Sequence, residues 1–349
     1  MMPTKIQFPP YQGQSVRVSV INAAKSSMRA ALLVAPAPSD HDHLDLAGYS
    51  FLVESQNRDQ KVIFDLGFME DVATKAPPVL KPFLGNNELI NIKESQQVDA
   101  VLTNHDIDLT SINSIVWSHA HVDHTGDPST FPPTTELVVG PGFKKAYTPG
   151  FPTNPQSSVL DNAFQGRHVR EIDFTESIFI GGFRAIDFFS DGSFWLLETP
   201  GHTKHHLSAL CRTTEDSYVL MGGDVCHNIA QLRPSLLRPL PESVSASMMG
   251  NTPASENRDW AGLGKIQQDG SHAFYGLVPA MQEDLCKAQE TIEKLKAFDS
   301  RDDVLVVIAH DVTLLDVMEF FPKDMNNWKE KGWADRGRWR FLKDFVQVA

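Results

Sequence analysis

His119, His121, Asp123 and His124 fall within a run of six residues, and each carries a side chain able to bind a metal ion. Neutral imidazole and carboxylate are the donors that zinc and its neighbours prefer. Upstream, Ser114-Ile115-Val116-Trp117 reads as a short buried strand; downstream, Thr125-Gly126-Asp127-Pro128 reads as a turn. The run is therefore expected on a loop at a strand end, where imidazoles and a carboxylate can converge on one point. Three more candidates each follow a predicted strand: His202 after 194–198, Asp224 after 218–221, and His310 after 304–308. Polar residues at strand ends collect at one edge of a sheet. The set of five histidines and two aspartates is enough for two metal ions sharing a carboxylate.

In this order, His-x-His-x-Asp-His, then Gly201-His202-Thr203, Gly223-Asp224 and a final His310, the chain resembles the metallo-β-lactamase superfamily. The resemblance runs from the hairpin ending at Asp65 to His310. It implies an α/β fold, a four-layer αβ/βα sandwich with metals at one edge of the facing sheets. It implies that His119, His121 and His202 hold a first ion, that Asp123, His124 and His310 hold a second, and that Asp224 bridges them. The implied cofactor is two zinc ions, other divalent metals being possible. The 22-residue gap from His202 to Asp224 is similar to that of quorum-quenching lactonases and small-ester hydrolases. The phrases Ser118–Asp127 and Gly223–His227 resemble fungal members, including lactamases that open benzoxazolinone-type rings and thioesterases of polyketide pathways. Two positions depart from these patterns. His227 stands where lactonases usually carry a tyrosine, and Asp127 stands where glyoxalase-like thioesterases carry a second glycine. The basic patch with which the latter hold glutathione has no equivalent here.

The function expected is that of a metal-dependent hydrolase. Two divalent ions about 3.5–4 Å apart can share a hydroxide, which would open a lactone or lactam ring or cleave a related small ester. Asp123 would ligate and orient that hydroxide. His227 would give a hydrogen bond or proton to the leaving group, as an imidazole can near neutral pH; the alternative is an outer or solvated histidine. Asp65, at a strand end, could orient a ligating histidine, or be a turn residue only. Other readings are a thioesterase of a polyketide-type pathway and a mononuclear iron oxygenase on the same fold. A nuclease is disfavoured by charge, and a binding-only relative by the complete ligand set.

These side chains need strands and helices to place them. Strands are predicted at Val16–Val20, Tyr49–Val53 and Lys61–Asp65, then at 114–117, 137–139, 177–180, 183–189, 194–198, 207–212, 218–221 and 304–308. Helical spacing is read over 280–297 and 333–346, and residues 79–99 look mixed. Residues 147–165 read as a loop, and 233–276 as an inserted, lid-like excursion within one metallo-hydrolase domain spanning 1–349. Asp40-His41-Asp42-His43 reads as a solvated loop. His205 and His206 are expected at the pocket rim or surface, and His105, His168 and His272 at the surface. Cys226 reads as a small buried filler. Trp260, Phe274 and Tyr275 would wall an apolar pocket or pack a loop core.

The chain has 349 residues, 41% hydrophobic and 21% charged, with a net charge of −13. A nucleic-acid surface needs a basic stripe, and no Lys/Arg cluster lies outside the C-terminal tail, so a small-molecule substrate is expected and nucleic acid is not. The three cysteines have no paired spacing, which favours a reducing compartment. The N-terminus has no apolar signal core, and Ala30–Pro36 is too short to span a bilayer. A cytoplasmic protein without a membrane partner is expected, and its oligomeric state is open.

Overall fold

Alternation along the strands sorts the apolar residues into three clusters, and these define the layers. In the computed structural model, which describes residues 6–39, 41–244, 258–259 and 270–345, Lys61–Phe64 illustrates the rule. Val62 and Phe64 face the central cluster, whereas Ile63 faces an outer one. Successive side chains of a strand point to opposite faces, so a strand buried on both sides is apolar throughout.

The first sheet has seven strands: β1 (Val16–Arg29), β2 (His43–Ser55), β3 (Lys61–Phe64), β4 (Ile90–Ser95), β5 (Ser114–Val116), β6 (Glu136–Val139) and β7 (Val169–Glu171), in the order β4-β1-β2-β3-β5-β6-β7. The second contains β8 (Ile178–Ile180), β9 (Phe183–Asp187), β10 (Phe194–Glu198), β11 (Leu207–Thr214) and β12 (Ser217–Gly223). A two-residue ribbon follows, β13 (Ser243–Val244) with β14 (Arg258–Asp259), and then β15 (Val304–Ile308) returns beside β12. The second sheet runs β15-β12-β11-β10-β9-β8. Val18, Phe51 and Val62 from the first sheet meet Leu196, Ala209, Val219 and Val307 from the second in the central core. Outside the second sheet, Val304, Val306 and Ile308 share a cluster with Ile292, Leu295 and Phe298 of the helix Leu285–Asp299. Outside the first, Ile115 and Leu137 share one with Val98 and Leu102 of the helix Val98–Thr103. The result is the expected helix–sheet–sheet–helix sandwich. Among the described residues, no helix is long and apolar enough to cross a membrane.

Strand direction decides where the chemistry goes. β3 and β5 are parallel neighbours. β12 and β15 are parallel, and β10 shares their direction because β10 and β12 are each antiparallel to β11. The segments leaving β3, β5, β10, β12 and β15 carry every residue of the candidate site.

Several elements differ from the sequence reading, and β4, in the mixed 79–99 stretch, and β7, after the 147–165 loop, are strands where none was predicted. β1 and β2 have 14 and 13 residues and extend well beyond Val20 and Val53. The continuation of β1 is masked by a register shift between Asn22 and Ala24 and by Lys25-Ser26-Ser27, polar residues in a strand that pairs with both β2 and β4. The C-terminal helix covers only Trp333–Arg338, and a 3-10 turn follows at Arg340–Phe345. About half of the lid-like excursion expected over 233–276 lies outside the described residues, as do Asp40 and Trp260.

Candidate functional site

Asp65 leaves β3 with φ of 60°, a left-handed conformation that aspartate tolerates better than most residues. The turn aims its carboxylate at the segment leaving β5. Oδ1 accepts the Ser118 backbone N–H at 2.7 Å, and Oδ2 accepts the Ser118 hydroxyl at 2.8 Å and His124 Nδ1–H at 2.8 Å. Ser118 Oγ also lies 3.0 Å from His119 Nδ1. With the hydroxyl proton given to Asp65, this oxygen accepts from His119 Nδ1–H. One carboxylate thus orients His124 directly and His119 through Ser118, leaving both Nε2 atoms bare. Such outer partners fix ring and tautomer in metal sites. Asp65→Asn is accordingly expected to weaken metal binding about ten- to a hundredfold, measured by competition against a chromogenic chelator. Unchanged affinity would sever Asp65 from the site.

On the second sheet, Asp224 follows Gly223, whose φ is 55°. A Cβ at Gly223 would stand 2.8 Å from His206 Nε2 and 3.0 Å from Ser118 Cβ, so glycine is needed for the close approach. The Asp224 N–H donates to His206 Nε2 at 3.0 Å, and His206 Nδ1–H donates to Thr199 Oγ1 at 2.8 Å. Burial lowers the His206 pKa to about 3, which keeps Nε2 an acceptor. The structure therefore corrects the expectation of a rim or surface residue. His206 is fully buried and positions Asp224. His205 stays partly open and bonds the Pro141 carbonyl at 2.7 Å, as a rim residue would.

His202 lies in the turn between β10 and β11. That turn is held where Glu283 and Asp284 donate their N–H groups to the His202 and Gly201 carbonyls, at 3.1 and 3.0 Å. His310 follows β15, and its Nδ1–H bonds the Ala47 carbonyl of β2 at 2.8 Å, so Nε2 faces the site.

All seven sequence candidates converge. The ligand atoms of His119, His121, His202 and Asp224 lie within 4.8 Å of one another, and so do those of Asp123, His124, Asp224 and His310. Asp224 faces both groups. Oδ2 is 3.8 Å from His119 Nε2 and 3.6 Å from His202 Nε2. Oδ1 is 3.2 Å from both His124 Nε2 and His310 Nε2, and the latter is also 3.2 Å from Oδ2. Asp123 Oδ2 is 3.5 Å from His310 Nε2, and His202 Nε2 is 2.9 Å from His121 Nδ1. Donors around a tetrahedral zinc, each about 2.0–2.1 Å from it, stand roughly 3.3 Å apart. His119 Nε2, His124 Nε2 and Asp224 Oδ1 are buried with no hydrogen-bond partner. Buried polar atoms rarely stay unpaired, and a cation would satisfy all three. The donor set fits two divalent ions.

The electrostatics differ between the groups. Burial, then neighbouring histidines, holds His119 and His202 well below the ordinary imidazole pKa, in the neutral form a metal needs. For His124 and His310 burial also opposes the charge, but Asp224 and Asp123 outweigh it and raise both. A cation there competes with protons, so uptake at this group releases them.

His227 is buried beside the site. Its Nε2 is 3.5 Å from Asp224 Oδ2, and its ring centre is 4.7 Å from that of His202. His105, His168 and His272 are exposed, and Cys226 is a buried filler, as expected. His43 opens β2 rather than extending a loop, and bonds the Glu88 carbonyl. Phe274 and Tyr275 pack on Phe345 at 4.5 and 5.0 Å between ring centres, which makes them loop core. The sequence reading missed Ser118, His206 and Gln231. For Ser118 and His206 the available signal was their place, adjoining a candidate ligand or a buried strand at this edge.

A family model described as the metallo-beta-lactamase superfamily matches residues 44–255. Gamma-lactamase FDB1 of Fusarium pseudograminearum is 36% identical over 360 residues, covering 99% of this chain and 86% of that protein. Cytochrome P450 monooxygenase mpaDE of Penicillium roqueforti is 41% identical over 303 residues, covering 85% of this chain but only 33% of its own length. An N-acyl homoserine lactone hydrolase, solved with the product N-hexanoyl-L-homoserine at its catalytic metal center, superposes with a TM-score of 0.59 at 16% identity. That match covers 89% of this chain and 99% of that one, a likeness of fold.

Proposed function

Because the chain belongs to the metallo-beta-lactamase superfamily, we propose that it is a metal-dependent hydrolase that opens a lactone or lactam ring, or cleaves a related small ester. His119, His121 and His202 would hold one ion, Asp123, His124 and His310 the other, and Asp224 would serve both. The observation that carries this reading is Asp224 itself, a buried carboxylate that lies within 3.8 Å of histidines from both groups. Zinc suits the nitrogen and oxygen donors. The near full-length similarity to gamma-lactamase FDB1 supports the cyclic-amide arm. We take 1–349 as one catalytic domain, since His310 completes the site from beyond the 44–255 match.

When bound, such ions polarise a carbonyl and bring the pKa of water toward neutrality. The remaining work falls to the chain. Asp123 and His121 are the most open members of their groups, so the substrate carbonyl enters between them. Asp123 accepts a hydrogen bond from the attacking water and fixes its direction. His227 donates to the leaving oxygen or nitrogen as the ring opens. Neither of these two neighbouring nucleophiles competes: Cys226 is buried, with its thiol pKa pushed up by burial, and the Ser118 hydroxyl is committed to Asp65.

Elemental analysis of protein purified without added metal, with a lactone and lactam panel on the same sample, tests the proposal. About two zinc ions per chain together with ring opening is the expected result. One iron per chain without hydrolysis would replace it with an oxygenase reading.

A further inference from the structure

Gln231 is buried at 2% exposure, and all four hydrogen-bonding valences of its amide are used. Oε1 accepts the backbone N–H of His227 at 2.8 Å and of Asn228 at 3.0 Å. Nε2 donates to the Leu33 carbonyl at 2.9 Å and to the Gly276 carbonyl at 2.9 Å. The bond to Asn228 belongs to a capping box that starts the short 3-10 turn Ile229–Gln231, in which Asn228 Oδ1 accepts the Ala230 N–H. A capping box needs nothing more from this side chain. The other three bonds exceed it, and two reach residues 198 and 45 positions away along the chain.

The places reached are informative. Leu33 and Ala35 follow β1, and Ala35 and Gly276 exchange backbone hydrogen bonds at 3.0 and 2.6 Å. The Tyr275 N–H donates to the Ala230 carbonyl at 3.1 Å. The chain leaving the site after Asp224 and the chain returning at 270–276 are therefore joined at this amide. The His227 backbone hangs from the same oxygen, with its ring turned toward Asp224 and His202.

We propose that Gln231 is a positioning residue: its amide ties the His227 turn to Leu33 and Gly276, and so sets where the His227 ring stands against the substrate. This rests on the reading of His227 as a substrate contact. Asparagine is too short to span the same four partners, glutamate lacks both donors, and methionine keeps the bulk but none of the bonds.

The test is a double-mutant cycle of Gln231→Met with His227→Ala, using 2-benzoxazolinone as cyclic-carbamate probe and N-hexanoyl-L-homoserine lactone as lactone probe. Gln231→Met is expected to lower kcat about ten- to a hundredfold, the scale of a misplaced contact, with KM within about twofold. Added to His227→Ala it should lower kcat no further. In 15N-labelled protein it should also shift or broaden the His227 ring signals while leaving those of His119 in place. If the two substitutions multiply independently, or the His227 signals do not move, Gln231 does not act through His227. Wild-type kcat in His227→Ala alone would remove the His227 reading itself, and this proposal with it. Gln231→Glu, which also breaks the link to Leu33 and Gly276, serves in place of the methionine variant should that one not fold.

Discussion

Asp224→Ala is expected to reduce kcat/KM roughly 10^4-fold and to bring the metal content to one ion per chain or fewer. Removing a single preorganised electrostatic contact typically costs about 10^2–10^3 in rate, and this carboxylate faces both histidine groups, so its loss is felt at each. It is also the buried counter-charge of the cluster: against the cost of burial, His310 and His124 hold it ionised well below the usual carboxylate range. Alanine leaves the buried imidazoles of His119, His124, His202 and His310 with Asp65 and Asp123 as the neighbouring carboxylates. Asp224→Asn keeps the shape and one neutral oxygen, and should retain more metal than alanine while still losing most activity. An alanine variant that keeps two ions and more than about a tenth of wild-type kcat/KM would show that the carboxylate does not join the two groups.

The second large effect concerns stability. Arg233 is expected to be worth about 3–5 kcal/mol, read as the loss in unfolding free energy of Arg233→Met. Its Nε lies 3.1 and 3.0 Å from the two Asp299 oxygens and its terminal nitrogen 2.6 Å from one of them, and both residues are buried. Arg338 contributes 2.8 Å to the Asp299 carbonyl and 3.2 Å to its carboxylate. Removing Arg233 leaves a buried carboxylate with one cation, and that cost usually exceeds the worth of the intact pair. The pH dependence has a definite sign. Although burial opposes it, Arg233 and then Arg338 hold the Asp299 pKa below its ordinary value. The stability this supplies is complete above the unfolded carboxylate value of about 3.9 and is lost as pH falls through the folded one. In Arg233→Met the Asp299 pKa rises, so the stability deficit against wild type should be full near neutrality and shrink as pH falls through that raised value. Thermal unfolding profiles that overlay from about pH 4 to 7 would refute this.

The candidate metal cluster was legible because its information is local. His-x-His-x-Asp-His sits in one turn, and His202, Asp224 and His310 each follow an apolar strand, so strand direction alone gathers them. The layers were legible for a related reason: strands such as Val304–Ile308 are apolar throughout, which requires cover on both faces. The supporting residues were not, because each is defined by a partner far along the chain. His206 looks like a surplus histidine beside His202 until the Asp224 N–H is found against it. Gln231 looks like a helix cap until Leu33 and Gly276 are seen at its other end. Asp65 stood between turn and partner, and only the arrival of the His124 ring distinguishes them. The length of β1 was hidden by Ser26 and Ser27, polar residues that are buried in a strand paired on both edges.

Asp65, His119, His121, Asp123 and His124 leave strands of the first sheet, and His202, Asp224 and His310 leave strands of the second. Ions held by both sets would act as a clasp across the open end of the sandwich. Letting the sheets separate by the width of one side chain would then undo the catalytic centre and release its cargo in a single event. Cohesion of the two halves and metal occupancy become one equilibrium. A cell short of metal would lose this protein through loosened architecture as much as through missing chemistry.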